Sequence, residues 1–438
     1  MSDLPLRIAL LGVGTVGRGT YEVLTRNAHE IARRAGRPIT VACVAARNPE
    51  KARRVVPPEI PVVSDFSAVV RDASIDVVVE LIGGEEPAKS LILEAIAHGK
   101  HIVTANKALL ALHGHEIFSR ARERDVIVAF EAAVAGGIPI IKMLREGLVA
   151  NRIEWIAGII NGTTNFILSE MRSRGLPFAQ VLQAAQEKGY AEADPTFDIE
   201  GIDAGHKLAI LASLAFGIPL SFERVFIEGI TRIEAQDIRY AEEMGYRIKL
   251  LAIARRRSSG IELRVHPTLI PSKRLMANVE GVMNAILVKG DAVGPTLYYG
   301  AGAGAYPTAS AVIADLVDVA RLIDADPAHR VPYLAYQHDR LGSDPILPIE
   351  EVESCYYLRL RVDDRPGVLA DITRVLADHD ISIDALLQKE PEEGEAQTDI
   401  ILLTHETLER SIRAAIARIE AQASTRAPVV MLRLEKLA

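Results

Sequence analysis

Asp203 and Lys207 stand four residues apart where the text turns apolar and helical, from Ile202 through Leu208, Ile210, Leu211 and Leu214. Both therefore project from one helix face. A lysine held by a carboxylate beside a partly apolar helix can be a positioned acid or base. Glu192, Asp194, Asp198 and Glu200 crowd the stretch before it, and Asp194-Pro195 breaks any helix there. The competing explanation is a solvated acidic loop followed by a helix-stabilising ion pair. A second lysine, Lys107, ends the run Val103-Thr104-Ala105-Asn106-Lys107 at a strand-to-helix junction. Cations oppose the helix dipole at such a start, which sets a functional role against that of a surface lysine. A third polar cluster, Asn161-Gly162-Thr163-Thr164-Asn165, turns from strand text into helix text. It can offer hydroxyls and helix-terminal N–H groups to a small polar substrate.

The elements that must hold these groups begin at the N-terminus. An apolar run over Leu6–Leu11 leads into Gly12-Val13-Gly14-Thr15-Val16-Gly17 and then an amphipathic helix. This is the dinucleotide fingerprint in its required context, a strand before and a helix after. Gly12 permits the tight turn, Gly14 lets a pyrophosphate approach the backbone, and Gly17 lets helix and strand pack closely. Strands are expected at 39–46, 61–63, 75–81, His101–Thr104 and 126–131, with helices at 87–98 and 108–123. That alternation predicts a parallel, doubly wound sheet. The second strand ends Ala45-Ala46-Arg47-Asn48, with no acid for ribose hydroxyls. Arg47 therefore favours NADP over NAD, although as a surface residue it leaves both usable. Gly12, Gly14, Thr15, Val16 and Gly17 form the expected cofactor cradle, with Arg47, Thr104, Lys107 and Gly302 as further contacts.

Beyond this first domain (1–131, completed by about 305–338) lies an α+β substrate and oligomerisation domain over 132–304. Its expected elements are a helix at 141–148, strands at 153–160, within 240–254, at 261–270 and at 281–288, and helices at 166–172 and from Ile202. The Gly/Ala turn Gly300-Ala301-Gly302-Ala303-Gly304 then enters a helix over 309–323; its glycines suit backbone approach to a cofactor or a hinge.

Composition narrows the function classes. The chain has 438 residues, 49% hydrophobic and 25% charged, enough for about three packed domains. A net charge of −8 argues against nucleic acid or an anionic membrane as the main partner. The two cysteines, Cys43 and Cys355, have no CxxC partner, so a zinc or disulfide framework is not expected. No apolar run has membrane-spanning length and no signal core precedes the first strand. A cytoplasmic protein is expected.

The C-terminal part is a different module. Residues 339–354, with Gly342, Pro345 and Pro348, make a linker. After it, 355–438 follow the order βαββαβ, which is ferredoxin-like. Asp364-Arg365-Pro366-Gly367-Val368-Leu369, followed later by Ile381-Ser382-Ile383, resembles an ACT domain. Such domains commonly bind an amino acid. The helix start at Gly367 and Val368 can hold a carboxylate, and Gln388 can meet the ligand's polar end. A dimerisation domain with no ligand is the alternative. Asp380 stands where glycine is frequent, and aspartate tolerates the left-handed conformation better than most residues.

Together, the fingerprint, Thr104–Lys107, Asn161–Asn165, the stretch 189–208 and the turn 300–310 resemble homoserine dehydrogenase in its longer, ACT-bearing form, over essentially the whole chain. The resemblance implies reversible NAD(P)H-dependent reduction of L-aspartate 4-semialdehyde to L-homoserine, on the route to threonine and methionine. It implies that Lys207 is the catalytic proton donor, that Asp203 orients it, and that Lys107 lies near both cofactor and substrate. Glu192 would take the substrate's amino group, with Asp198 and Thr163 completing that side. Glu131 and backbone oxygens of Val134, Gly136 and Ile138 would hold a monovalent cation, usually sodium. Feedback inhibition by L-threonine through the ACT domain and a homodimer or homotetramer are further expectations. The rivals are another amino-acid dehydrogenase and an amino-acid-sensing regulator in which the nucleotide domain is only a scaffold.

Overall fold

The computed structural model describes residues 4–390 and 395–437, which fall into two compact units. One takes in the chain as far as Gly162, then Asp203–Val225 and Val282–Asp344; the other takes in Thr163–Ile202, Phe226–Gly281 and the chain from Pro345 on.

The first unit is built on six strands: β1 (Leu6–Leu11), β2 (Ile39–Ala45), β3 (Val62–Val63), β4 (Val77–Glu80), β5 (His101–Thr104) and β6 (Val128–Ala129). All pair in parallel in the order β3-β2-β1-β4-β5-β6. Ile8, Leu10, Val77, Val79 and Val103 are buried, as strands covered by helices on both faces require. The order reverses direction at β1, whose neighbours are β2 and β4, and the loop after β1 opens at that switch point. The helix Ala305–Leu322 brings Ala309, Val312, Leu316 and Val319 into the same core. A separate antiparallel set joins β7 (Ile153–Ile159) to Met283–Gly290, and that strand to Gly294–Ala301. The α/β doubly wound expectation holds.

Several boundaries differ from the sequence reading for identifiable reasons. The strand expected over 126–131 is only two residues long, because Glu131–Ala133 coils into a single 3-10 turn. The helix expected at 141–148 is one short turn, Ile140–Lys142, then a wider turn over Met143–Gly147 in which Leu148 N donates to the Met143 carbonyl at 2.7 Å. That i→i−5 bond is the mark of a π-turn. Strand-like text at Tyr240 is the end of a helix, Ala235–Glu243, started by a reciprocal Glu234/Asp237 capping box; the strand begins only at Tyr246, after the left-handed Gly245. The helix expected from Ala309 starts at Ala305, with Pro307 accommodated in its first turn.

The second unit contains the antiparallel pair Tyr246–Arg256 and Ile261–Pro271, in register over its whole length. Its C-terminal part has Glu353–Asp363 paired antiparallel with Gln397–Thr404 on one side and Val430–Leu434 on the other, and Ile383–Gln388 beyond Gln397–Thr404. Helices Val368–Asp378 and Glu409–Glu420 cover this sheet through Ile372, Leu376, Ile412 and Ile419. The βαββαβ order and ferredoxin-like pairing agree with expectation. Asp380 has φ 58°, the left-handed conformation anticipated for it. Val430–Leu434 also pairs in parallel with Ile261–Pro271, through Thr268↔Arg433 and Leu269↔Leu434.

Candidate active site

The dinucleotide cradle follows from three different requirements on three glycines. Gly12 has φ 94°, which L side chains rarely adopt. A Cβ on Gly17 would stand 2.1 Å from the Gly12 carbonyl oxygen, so only glycine lets the helix Thr15–Arg26 close on the loop. A Cβ on Gly14 would meet nothing within 4 Å, so the turn has open space at this residue. Gly14 caps the helix without any side-chain hydrogen bond, so no cap side chain takes up the first-turn N–H groups. Arg47, just past β2, is exposed. Gly302 serves a different need: a Cβ there would lie 1.7 Å from Asn284 Oδ1, so the buried Asn284 side chain occupies that space. Thr104 is wholly buried, and its hydroxyl donates to Glu80 Oε2 at 2.6 Å.

At the end of β5, Asn106 caps the helix Lys107–Glu123 by accepting from Leu109 N at 3.1 Å. Lys107, the first helical residue, meets Asp203 Oδ1 at 3.2 Å, which answers the unfavourable dipole at that position. Asp203 lies in the first turn of the helix Ile202–Phe216 and is 3% exposed. Its Oδ2 accepts from Lys207 Nζ at 2.6 Å and from Asn161 Nδ2 at 2.9 Å. Lys207 also donates to the Ile160 carbonyl at 2.8 Å. Burial opposes ionisation of Asp203, but Lys207 and then Lys107 overcome it and hold the carboxyl well below the usual range. One carboxylate thus positions two ammonium groups. His206, beside Lys207, packs its ring against Phe222 with centroids 4.1 Å apart. Burial keeps its imidazole neutral-leaning, Asp203 opposing and Lys107 adding to that effect.

The other predicted substrate residues belong to the second unit. The Thr163 hydroxyl lies 2.7 Å from the Tyr190 carbonyl and 3.0 Å from Asp198 Oδ2. Its single proton serves one of them at a time. Glu192 is exposed, and among the described residues its carboxylate has no hydrogen-bond or ion-pair partner; only its backbone carbonyl accepts, from Gln186. Asp194, unassigned from sequence, accepts from Thr196 N at 3.1 Å and so starts the short helix Thr196–Ile199.

Glu131 is 2% exposed, its carboxylate accepting from Ile141 N at 2.9 Å and Lys142 N at 2.8 Å. Burial still pushes it up to about 7. Asp315, which accepts from Glu131 N at 2.7 Å, is likewise pushed up to about 7, by burial and then by Glu131. Ala135 and Gly136 are both left-handed, at φ 56° and 46°, which turns successive carbonyls of the 134–138 segment. The Ile138 carbonyl is already an acceptor, for Ile140 N at 2.8 Å. A buried carboxyl and carbonyl oxygens are donors of the kind a hard cation takes. Among the described residues no group of three or more His, Cys, Asp or Glu could hold a metal ion.

Within the C-terminal module, a cavity of about 470 Å³ is lined by Asp364, Pro366, Gly367, Val368, Gln388 and Ile400, among others. It brings together all three expected effector residues. Gly367, at φ 94°, caps the helix Val368–Asp378. Gln388 Nε2 donates to Asp364 Oδ1 at 3.3 Å.

Asn161, Glu80, His206 and Asp315 were not assigned roles from sequence. Asn161 and Glu80 sit inside quoted motifs or at a strand end, but their partners lie 42 and 24 residues away. No helical or strand period carries that information.

Comparison with known proteins agrees along the chain. Residues 12–131 match the NAD-binding domain of homoserine dehydrogenase, 139–317 match the homoserine dehydrogenase domain, and 356–423 match the ACT domain. A homoserine dehydrogenase of Pseudomonas aeruginosa is 60% identical over 99% of both chains. The crystal structure of one from Thiobacillus denitrificans is 64% identical, covers 99% of both chains and superposes with a TM-score of 0.95. A hyperthermophilic archaeal homoserine dehydrogenase in complex with NADPH is 25% identical, with a TM-score of 0.63 over 74% of this chain and 99% of that one.

Proposed function

The chain belongs to the homoserine dehydrogenases, NAD(P)-dependent oxidoreductases, here with a C-terminal ACT domain, and from that premise we propose that it interconverts L-aspartate 4-semialdehyde and L-homoserine in threonine and methionine biosynthesis. The observation that carries the reading is Asp203 with Lys207 and Lys107 on its two oxygens.

A dinucleotide held at the turn over 12–17 would supply the hydride. The chain's own residues handle charge and protons. As the aldehyde is reduced, its oxygen gains negative charge, and Lys207 donates a proton to it. In the reverse direction the Lys207 amine takes that proton back. Asp203 holds the ammonium in place through its 2.6 Å contact, and the Ile160 carbonyl fixes its second donor. Lys107 balances the second oxygen of Asp203 and adds positive charge at the strand end. Glu192 takes the substrate ammonium, supported by a carboxylate that has no partner among the described residues, and Thr163 with Asp198 orients the polar end.

NADP is the proposed preferred cofactor, with NAD usable. Exposed Arg47 after β2 and the NADPH bound by the archaeal relative support this. Sodium at Glu131, Val134, Gly136 and Ile138 is proposed from the carboxyl and carbonyl chemistry. L-threonine is the proposed inhibitor at Gly367, Val368 and Gln388, supported by the cavity they line. A cytoplasmic homodimer or homotetramer is the proposed form; the ACT sheet ends at the edge strand Ile383–Gln388, a candidate seam between copies.

The test is oxidation of NADPH and NADH with aspartate semialdehyde, with and without L-threonine, in the parent and in Lys207→Ala. The variant is expected to lose roughly 10²–10⁴-fold in kcat, the usual contribution of a positioned acid. Near-parent turnover in a folded Lys207→Ala protein contradicts the catalytic assignment. Threonine that neither binds nor inhibits removes the effector reading alone.

A further inference from the structure

Glu80 ends β4 and is wholly buried, yet among the described residues no cation pairs with it. Its partners are all donors. Oε1 accepts from Ile82 N at 2.8 Å and from Gly83 N at 3.0 Å; Oε2 accepts from the Thr104 hydroxyl at 2.6 Å. A carboxylate surrounded by three donors is satisfied only when both oxygens accept. Glu80 and Thr104 are register partners across β4 and β5, so one side chain ties the loops that leave both strands.

The ties close into a ring. The Thr104 oxygen accepts from Asn106 N at 3.0 Å, and Asn106 Nδ2 donates to the Gly84 carbonyl at 2.7 Å. Gly83 and Gly84 are consecutive left-handed residues, at φ 76° and 75°, a shape that the Glu80 bonds hold in place. Asn106 also caps the helix that starts at Lys107, and Lys107 reaches Asp203 at 3.2 Å. The carboxyl ends of parallel strands at this switch point face the dinucleotide crevice.

We propose that Glu80 is a positioning residue for the reaction: its buried carboxylate sets the Thr104–Asn106 turn and thereby places the Lys107 ammonium against Asp203. The inference rests on the proposed role of Lys107 beside substrate and cofactor. Glutamine at position 80 keeps the volume but cannot satisfy three donors with one oxygen. Either its amide N–H₂ faces two backbone N–H groups, or it faces Thr104 and turns that hydroxyl away from its present bond. Thr104→Val is milder, removing one donor and the acceptor for Asn106 N.

The experiment is single-turnover hydride transfer with homoserine and NADP⁺ at high enzyme concentration, in Glu80→Gln, Thr104→Val, Lys107→Met and the two doubles with Lys107→Met. NADPH affinity by fluorescence and the melting temperature are followed in parallel. Glu80→Gln is expected to slow hydride transfer by on the order of tenfold or more, and Thr104→Val by several-fold, because misplacement of a reacting group is costly. In the Lys107→Met background each penalty should shrink to less than about twofold, since residues acting through one group are not additive. Penalties that multiply in the doubles overturn the inference, as does a Glu80→Gln protein that melts earlier but transfers hydride at the parent rate. If Glu80→Gln does not fold, the Thr104→Val cycle decides by the same criterion. Parent-like turnover in Lys107→Met overturns the Lys107 reading itself, and the Glu80 inference with it.

Discussion

Asp203 illustrates how far a single residue can be read in isolation. Its spacing from Lys207 is visible in the text because a helix puts i and i+4 on one face. That Lys107 and Asn161 also meet its carboxylate is not, since they approach from a strand end and from the end of β7. The buried acids carry a pH consequence with opposite signs. Asp203 is depressed, so its stabilisation is fully present above the ordinary carboxylate value and is lost as pH falls from there through its lower folded-state value. Glu131 and Asp315 are raised to about 7, so the native state binds more protons than the unfolded chain between roughly pH 4.5 and 7. Stability from this pair therefore falls as pH rises through that window. The cation proposed at Glu131 would offset the loss. If sodium binds here, it is expected to raise the melting temperature at pH 8 relative to choline at equal ionic strength, through a stability gain of about 1.4 kcal/mol at a tenfold excess over Kd. Glu131→Gln should abolish the difference; equal responses in parent and variant contradict a cation at this position.

At the scale of the element, the strand–loop–helix at 6–26 was legible because each glycine has its own steric cause. Those causes separate experimentally. Gly17→Ala puts a Cβ 2.1 Å from the Gly12 oxygen, a clash with backbone that should cost about 1–3 kcal/mol of stability. Gly14→Ala meets nothing within 4 Å and Gly14 has φ −67°, so the melting temperature should hold. Dinucleotide KM should instead rise at least tenfold, on the order of 1.4 kcal/mol of lost binding. Dinucleotide KM unchanged in Gly14→Ala argues against pyrophosphate over this turn. Two of the element boundaries that depart from the sequence pattern share one feature. At Glu131–Ala133 and Met143–Gly147 the chain departs from regular period because buried groups, Glu131 foremost, need the backbone N–H of Ile141 and Lys142. Tertiary demand there overrides local pattern.

Across the whole molecule, the C-terminal module is not a loose appendage of its unit. Its last strand pairs with Ile261–Pro271, and a buried ionic seam follows that pairing. Arg264, 0% exposed, meets Glu435 at 2.5 Å and Glu262 at 3.1 Å, while Arg433 is held by Glu409 and meets Glu228 at 3.0 Å. Tyr356 adds a 2.9 Å bond to Glu409. Such groups are costly to bury and more costly to leave half-paired. Arg264→Met should cost roughly 1–3 kcal/mol, measured by urea unfolding, because Glu262 and Glu435 lose a shared buried donor and keep only Arg257 and Arg255. A change below about 1 kcal/mol contradicts the reading of the seam as fully desolvated. No helix among the described residues is long and apolar enough to cross a membrane.

What the amino-acid order determined by itself is whatever is local or periodic: the fingerprint turn, the alternation that makes a parallel sheet, the βαββαβ order, and the Asp203–Lys207 spacing. These depend on backbone conformation and side-chain direction within a few residues. Only the tertiary structure decided which distant donors complete each carboxylate. Glu80 with Thr104, Asp203 with Asn161 and Lys107, Glu131 with Asp315, and Arg264 with Glu435 each join strands or helices far apart in the chain. A buried charge takes partners from whatever packing brings near it, and packing is a property of the assembled core.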